Sequence, residues 1–159
     1  MQNGLFSMWS HDLLIELSET LLVVSVFGAS EKFEIEPYIA IKNDGKHKVV
    51  EQIGREAKGL ASHDVDVSNP FSHPRLLIAN FEKAEKVLQF AVAQTSAQKW
   101  LKPSPRIVMH QLEKNEGGLT DIEIKVLREL ALGAGARVVK VHQGHRLSAE
   151  TSRFDDVDG

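Results

Sequence analysis

Residues 80–110 read NFEKAEKVLQFAVAQTSAQKWLKPSPRIVMH, and the change of period inside this stretch decides the fold class. Asn80 is a good N-cap, because its side-chain oxygen can take an amide of the first turn. Phe81, Ala84, Leu88 and Ala91 follow at helical spacing on one face. The pattern predicts a helix from Asn80 to about Lys99. Pro103 and Pro105 stop it, since proline lacks the amide a helix needs, and residues 106–110 form a short buried strand. The alternation then repeats. Residues 113–118 are a loop, and Thr120 opens a second helix with Ile122, Val126, Leu130 and Ala131 facing inward, ended by Gly133 or Gly135. Residues 137–141 are another strand and residues 147–154 a last short helix. The Asp-rich end, residues 155–159, is expected to fray.

Upstream the period is that of strands. Three apolar stretches, residues 13–17, 20–27 and 33–42, are separated by Ser18-Glu19 and by Gly28-Ala29-Ser30-Glu31, the pattern of an antiparallel meander. A short strand at 48–53 precedes a helical turn at 55–60. Residues 61–74, with Asn69-Pro70 and His73-Pro74, read as a loop. The order is β-β-β, a small insert at about 43–75, then α-β-α-β-α. Strands that alternate with helices pair in parallel through right-handed crossovers. The expected fold is α/β, with a mixed five-stranded sheet of three antiparallel strands and then two parallel ones. One domain over residues 11–154 lies between an N-terminal segment, 1–10, and the tail, 155–159.

Composition excludes several functions. A net charge of −3 argues against a nucleic-acid binder, which would carry a basic stripe. The chain has no cysteine, so disulfides and thiolate metal sites are excluded. No apolar run approaches the roughly 20 residues that span a bilayer, and the first ten residues carry no Lys or Arg, so no secretory signal is expected. The expected location is the cytoplasm. His142 and His145 are three apart with no third ligand in view, and Asp155, Asp156 and Asp158 lack the rest of a calcium loop, so no metal site is expected.

Several stretches resemble the MreB family of bacterial actin homologues. They are Met8-Trp9-Ser10-His11-Asp12-Leu13, Glu36-Pro37, Ile53-Gly54-Arg55-Glu56-Ala57-Lys58, Asn80-Phe81-Glu82, Leu101-Lys102-Pro103-Ser104-Pro105-Arg106-Ile107-Val108, Leu119-Thr120-Asp121-Ile122-Glu123 and Gly133-Ala134-Gly135-Ala136-Arg137. They run in collinear order over residues 5 to 150. The resemblance implies the ribonuclease H-like, actin-like ATPase fold, and specifically its first domain.

Family members bind ATP between two large domains and form membrane-bound filaments that organise rod shape. The resemblance implies a degenerate nucleotide site in this chain. The family's phosphate hairpin falls on Glu16-Leu17-Ser18-Glu19, where Ser18 replaces glycine and Glu19 puts a carboxylate in the phosphate position. The family's water-activating glutamate falls on Glu123, which also completes a capping box with Thr120. Its acidic pair after the next strand has become Gln143-Gly144-His145. The second phosphate hairpin and the adenosine-binding domain are expected to be missing. Neither catalysis nor a cofactor is therefore expected. The expected role is a cytoskeletal accessory that binds an MreB-type protein or itself. Its alternatives are an adaptor for an unrelated protein and half of an ATPase completed by a partner chain. The family's membrane-facing positions fall on Leu5, Phe6, Met8 and Trp9 and on Trp100 and Leu101, implying contact with the cytoplasmic membrane surface. The alternative is that both indoles pack in the domain or at an oligomer contact.

Overall fold

The computed structural model describes residues 12–95 and 103–159. Strand β1 (Leu13–Leu17) runs antiparallel to β2 (Leu22–Val26), which runs antiparallel to β3 (Lys32–Ile35). The chain then leaves this sheet. Strands β4 (Ile39–Asn43), β5 (Lys48–Ile53) and β6 (Val65–Ser68) form a second, three-stranded antiparallel sheet in the order β5-β4-β6, with a 3-10 turn at Arg55–Leu60. Helix α1 (Phe81–Ala93) leads towards β7 (Arg106–Gln111), and α2 (Asp121–Gly133) leads from β7 to β8 (Val138–His142). The five-stranded sheet has the order β3-β2-β1-β7-β8, with β7 parallel to both β1 and β8. Three antiparallel strands followed by two parallel ones are as the sequence predicts.

Alternation within the strands sends side chains to two different layers. Leu13, Ile15 and Leu17 of β1 join Val24, Ile107 and Met109 beneath the helices, where Val87, Leu88, Ala91, Leu127 and Leu130 are fully buried. Leu14 and Val108 face the other side and meet Phe154 and Val157. Strands β1 and β2 are buried along their whole length, because both faces of the sheet are covered there. The helix starts are capped as expected: Asn80 accepts from the Lys83 amide, and Thr120 with Glu123 forms a complete capping box.

Several expectations are corrected. The stretch 33–42 is two strands in two sheets, since Pro37 has no amide to give a ladder and breaks the run between Ile35 and Ile39. Residues 61–74 are not all loop, because Val65–Ser68 pairs with β4 and Phe71 is fully buried. Phe81 stands partly in solvent, and Ile122, expected to face inward, does not. They are 41% and 75% exposed. Leu127, unremarked in the sequence, takes the inner place.

The C-terminal part departs most from expectation. Residues 147–154 form no helix, and the acidic end is packed. A 3-10 turn at Phe154–Asp156 places Phe154 and Val157 in the outer core. Arg106 holds this end down, with ion pairs of 2.7 Å to Asp12 and 2.8 Å to Asp155 and its guanidinium 4.3 Å from the Phe154 ring. Asp12 and Asp155 hold the Arg106 guanidinium charged, and Arg106 in turn keeps the Asp155 carboxyl below its ordinary range. Lys140 donates to the Phe154 and Val157 carbonyls.

Candidate functional site

In an open sheet, loops at the carboxyl ends of parallel strands converge on one rim, which is where such folds place ligands. Here the rim is built by the β1–β2 hairpin tip, the 69–75 loop and the loop after β7. Ser18 closes the tip: its amide and hydroxyl donate to the Leu21 carbonyl, at 3.1 and 2.8 Å, and its hydroxyl oxygen accepts from the Leu21 amide.

Glu19 is engaged from every side. Its amide donates to Glu113 Oε2 at 2.9 Å, and its carbonyl accepts from Asn69 Nδ2 at 2.7 Å. Its carboxylate accepts from Ser72 Oγ at 2.8 Å and pairs with Lys114 Nζ at 3.3 Å. The Ser72 hydroxyl, and after it Lys114, hold the Glu19 carboxyl below its ordinary value. Lys114 also donates to the His73 carbonyl. It adopts φ 55°, a left-handed conformation that non-glycine residues seldom take, next to the glycines of the 113–118 loop. The Gln111 side chain braces that loop by donating to the Glu113 and Lys114 carbonyls.

Glu123 sits apart from this tie, at the start of α2. Its Oε2 accepts from both the amide and the hydroxyl of Thr120, at 2.8 Å each. With Gln111, Leu76, Leu77, Ile78, Ile122 and Val126 it lines a small, mainly apolar cavity of about 100 Å³.

Glu16 points to the opposite face of the sheet from Leu17 and takes no part in the rim. It is buried and receives Arg146 Nε at 2.7 Å. The structure therefore places Ser18 and Glu19 at one site and separates them from Glu16. Leu5, Phe6, Met8, Trp9, Trp100 and Leu101 lie outside the described residues. His142 Nε2 bonds the His145 carbonyl at 2.8 Å. Among the described residues, no group of three or more His, Asp or Glu side chains is arranged to hold a metal ion, and no helix is long and apolar enough to cross a membrane.

The sequence reading missed Asn69, Ser72, Glu113 and Lys114. The available signal was topological: a polar loop that follows a buried parallel strand belongs on the ligand-binding rim.

No protein-family model matches the chain. It is 30% identical over 141 residues to the cell shape-determining protein MreB of Pasteurella multocida, covering 86% of this chain and 38% of that protein. The corresponding protein of Escherichia coli K12 is 31% identical over 137 residues, covering 83% of this chain and 38% of the relative. The chain thus spans little more than a third of the length of these relatives. To uncharacterized protein YjaA of Escherichia coli K12 it is 43% identical over 101 residues, covering 60% of this chain and 77% of that protein.

Crystal structures of MreB5 of Spiroplasma citri, bound to AMPPNP and to ADP, superpose with TM-scores of 0.63 and 0.64. They cover 83% and 84% of this chain and 38% of each of those chains. At 15% and 16% identity that likeness is one of fold. The chain therefore belongs to one family with YjaA, and in sequence and fold it is an MreB-like N-terminal half with the actin-like architecture.

Proposed function

We propose that this protein is a non-catalytic MreB-type accessory in cell-shape control, which associates with MreB-type filaments or with copies of itself. One observation carries the non-catalytic part: the hairpin tip that corresponds to a phosphate loop is closed on its own neighbours. The Glu19 amide, a donor of the kind a phosphate oxygen would take, is occupied by Glu113. The Glu19 carboxylate stands beside it, and its charge is balanced by Lys114. An incoming polyphosphate would have to break these bonds and then meet two carboxylates, Glu19 and Glu113, at short range. Glu123, the other position at issue, is engaged as the cap of its own helix. The filament part is supported by the similarity to cell shape-determining MreB proteins. Membrane contact through Leu5, Phe6, Met8, Trp9, Trp100 and Leu101 belongs to the same proposal and is supported by the apolar and aromatic residues of those two segments.

Two measurements test it. Thermal melts with and without millimolar Mg-ATP should coincide. A site that bound ATP at 100 times its dissociation constant would add about 2.7 kcal/mol and shift the melt visibly. Such a shift would overturn the non-catalytic reading and favour half of an ATPase. The protein should also co-sediment with polymerised MreB or pellet by itself, and a protein left wholly in the supernatant would sink the filament assignment.

A further inference from the structure

The outer face of the five-stranded sheet is covered by residues 143–157, a segment that works as a strap and whose one regular element is the 3-10 turn at Phe154–Asp156. Its far end is fixed by Phe154, Val157 and Arg106, as described above. Its near end is fixed differently, over a row of polar side chains that the parallel register lines up across three strands. Glu16 of β1 is the register partner of His110 of β7, which is the partner of His142 of β8.

The His110 and His142 rings meet edge to face with centroids 4.7 Å apart, and the His145 ring lies 5.7 Å from His142. Arg146 reaches back from the strap and bonds Glu16 through Nε at 2.7 Å and a second nitrogen at 3.4 Å. Glu16 is buried while the Arg146 side chain is 65% exposed, so the bond fastens a surface segment to an interior carboxylate. Next to them His110 is 2% exposed, and its Nδ1 is the one buried side-chain polar atom among the described residues without a hydrogen-bond partner.

We propose that Glu16, His110, His142, His145 and Arg146 form a proton-operated latch: with His110 neutral, Arg146 holds the strap to Glu16, and protonation of His110 releases it. A cation on His110 would stand beside the same carboxylate that Arg146 uses. It would also repel Arg146 and place an unpaired N–H in a buried site. The groups facing His110 act in both directions. Burial, His142 and Arg146 disfavour the charged ring, while Glu16 and the Gly144 backbone favour it, and the balance falls below the ordinary histidine value. At neutral pH the latch is therefore closed.

Hydrogen exchange of the full chain at about pH 7.5 and about pH 5.5, corrected for intrinsic rates, tests the latch. Amides in residues 143–149 should lose protection on acidification, by up to about tenfold per pH unit because one proton is linked to opening. Those of α1 should not change. His110→Phe should keep the strap protected at both pH values. Arg146→Gln, at a mostly exposed side chain, should leave the strap labile at both. Strap exchange that is independent of pH in the wild type, or that follows pH equally in either variant, would overturn the latch. Equal loss of protection in α1 would also overturn it, by showing global unfolding instead.

Discussion

The Ser72 hydroxyl and the Lys114 ammonium both meet the Glu19 carboxylate, and together they favour its charged form. A carboxyl held below its unfolded value adds stability above about pH 4.5 and loses that contribution as pH falls through the folded value. The contacts among the hairpin tip, the 69–75 loop and the loop after β7 should therefore loosen as pH falls below about 4.5. An NMR titration of the Glu19 and Ser72 amides should report the loosening in that window and leave the α1 amides unmoved. Glu19→Gln should remove the dependence. That Glu19 lies in a turn is legible from its place between two apolar runs. Its partners are not, because Ser72 and Lys114 lie 53 and 95 residues away and only the folded topology brings them to one rim.

Elements were legible where local chemistry decides them. Asn80 and Thr120 cap their helices because short polar side chains satisfy amides that a helix start leaves free. Strands β1, β2, β7 and β8 are apolar enough to be read directly. Strand β6 was hidden, since Val65-Asp66-Val67-Ser68 is short and half polar and its pairing with β4 is a tertiary fact. The break at Pro37 was open to view, yet an apolar run on both sides masks it. Gly54 belongs to this class of local constraint: at φ 111°, with Ile35 Cδ1 3.2 Å from where a Cβ would stand, it lets the chain turn from β5 into the 3-10 segment. Glu123 permits an element-scale test, because a cap and a catalytic base respond differently to removal. Glu123→Ala should cost about 0.3–1.5 kcal/mol in a denaturant melt. Glu123→Gln, which can still accept from the Thr120 amide, should restore most of it. Equal loss in both variants would mean that the charge, not the cap, matters there.

On the scale of the whole molecule, the sheet has two unlike coverings. Two helices fill one face with a packed apolar layer, and the other face relies on a strap whose anchors are few: Phe154, Val157, Leu147 and Ala149 against Leu14 and Val108. Nothing in the tail's own sequence announces this, because Arg153-Phe154-Asp155-Asp156 reads as a polar end with one stray aromatic. The decisive partners, Asp12, Arg106 and Lys140, come from β1, β7 and β8 or their edges. A frayed tail and a docked one differ sharply in what Phe154 is worth. In a frayed tail, Phe154→Ala would leave the melting temperature where it was. As a ring that is 3% exposed, with Arg106 4.3 Å and Lys140 4.6 Å from its centroid, its loss opens a cavity and strips two cations of their aromatic contact. The expected cost is about 3–5 kcal/mol, which for a domain of this size lowers the melting temperature by on the order of 10 °C. Asp155→Asn removes only an exposed ion pair, since Asp12 still holds Arg106, and should cost about 1 kcal/mol or less. If the two changes destabilise equally, the strap is held by charge and not by its buried ring.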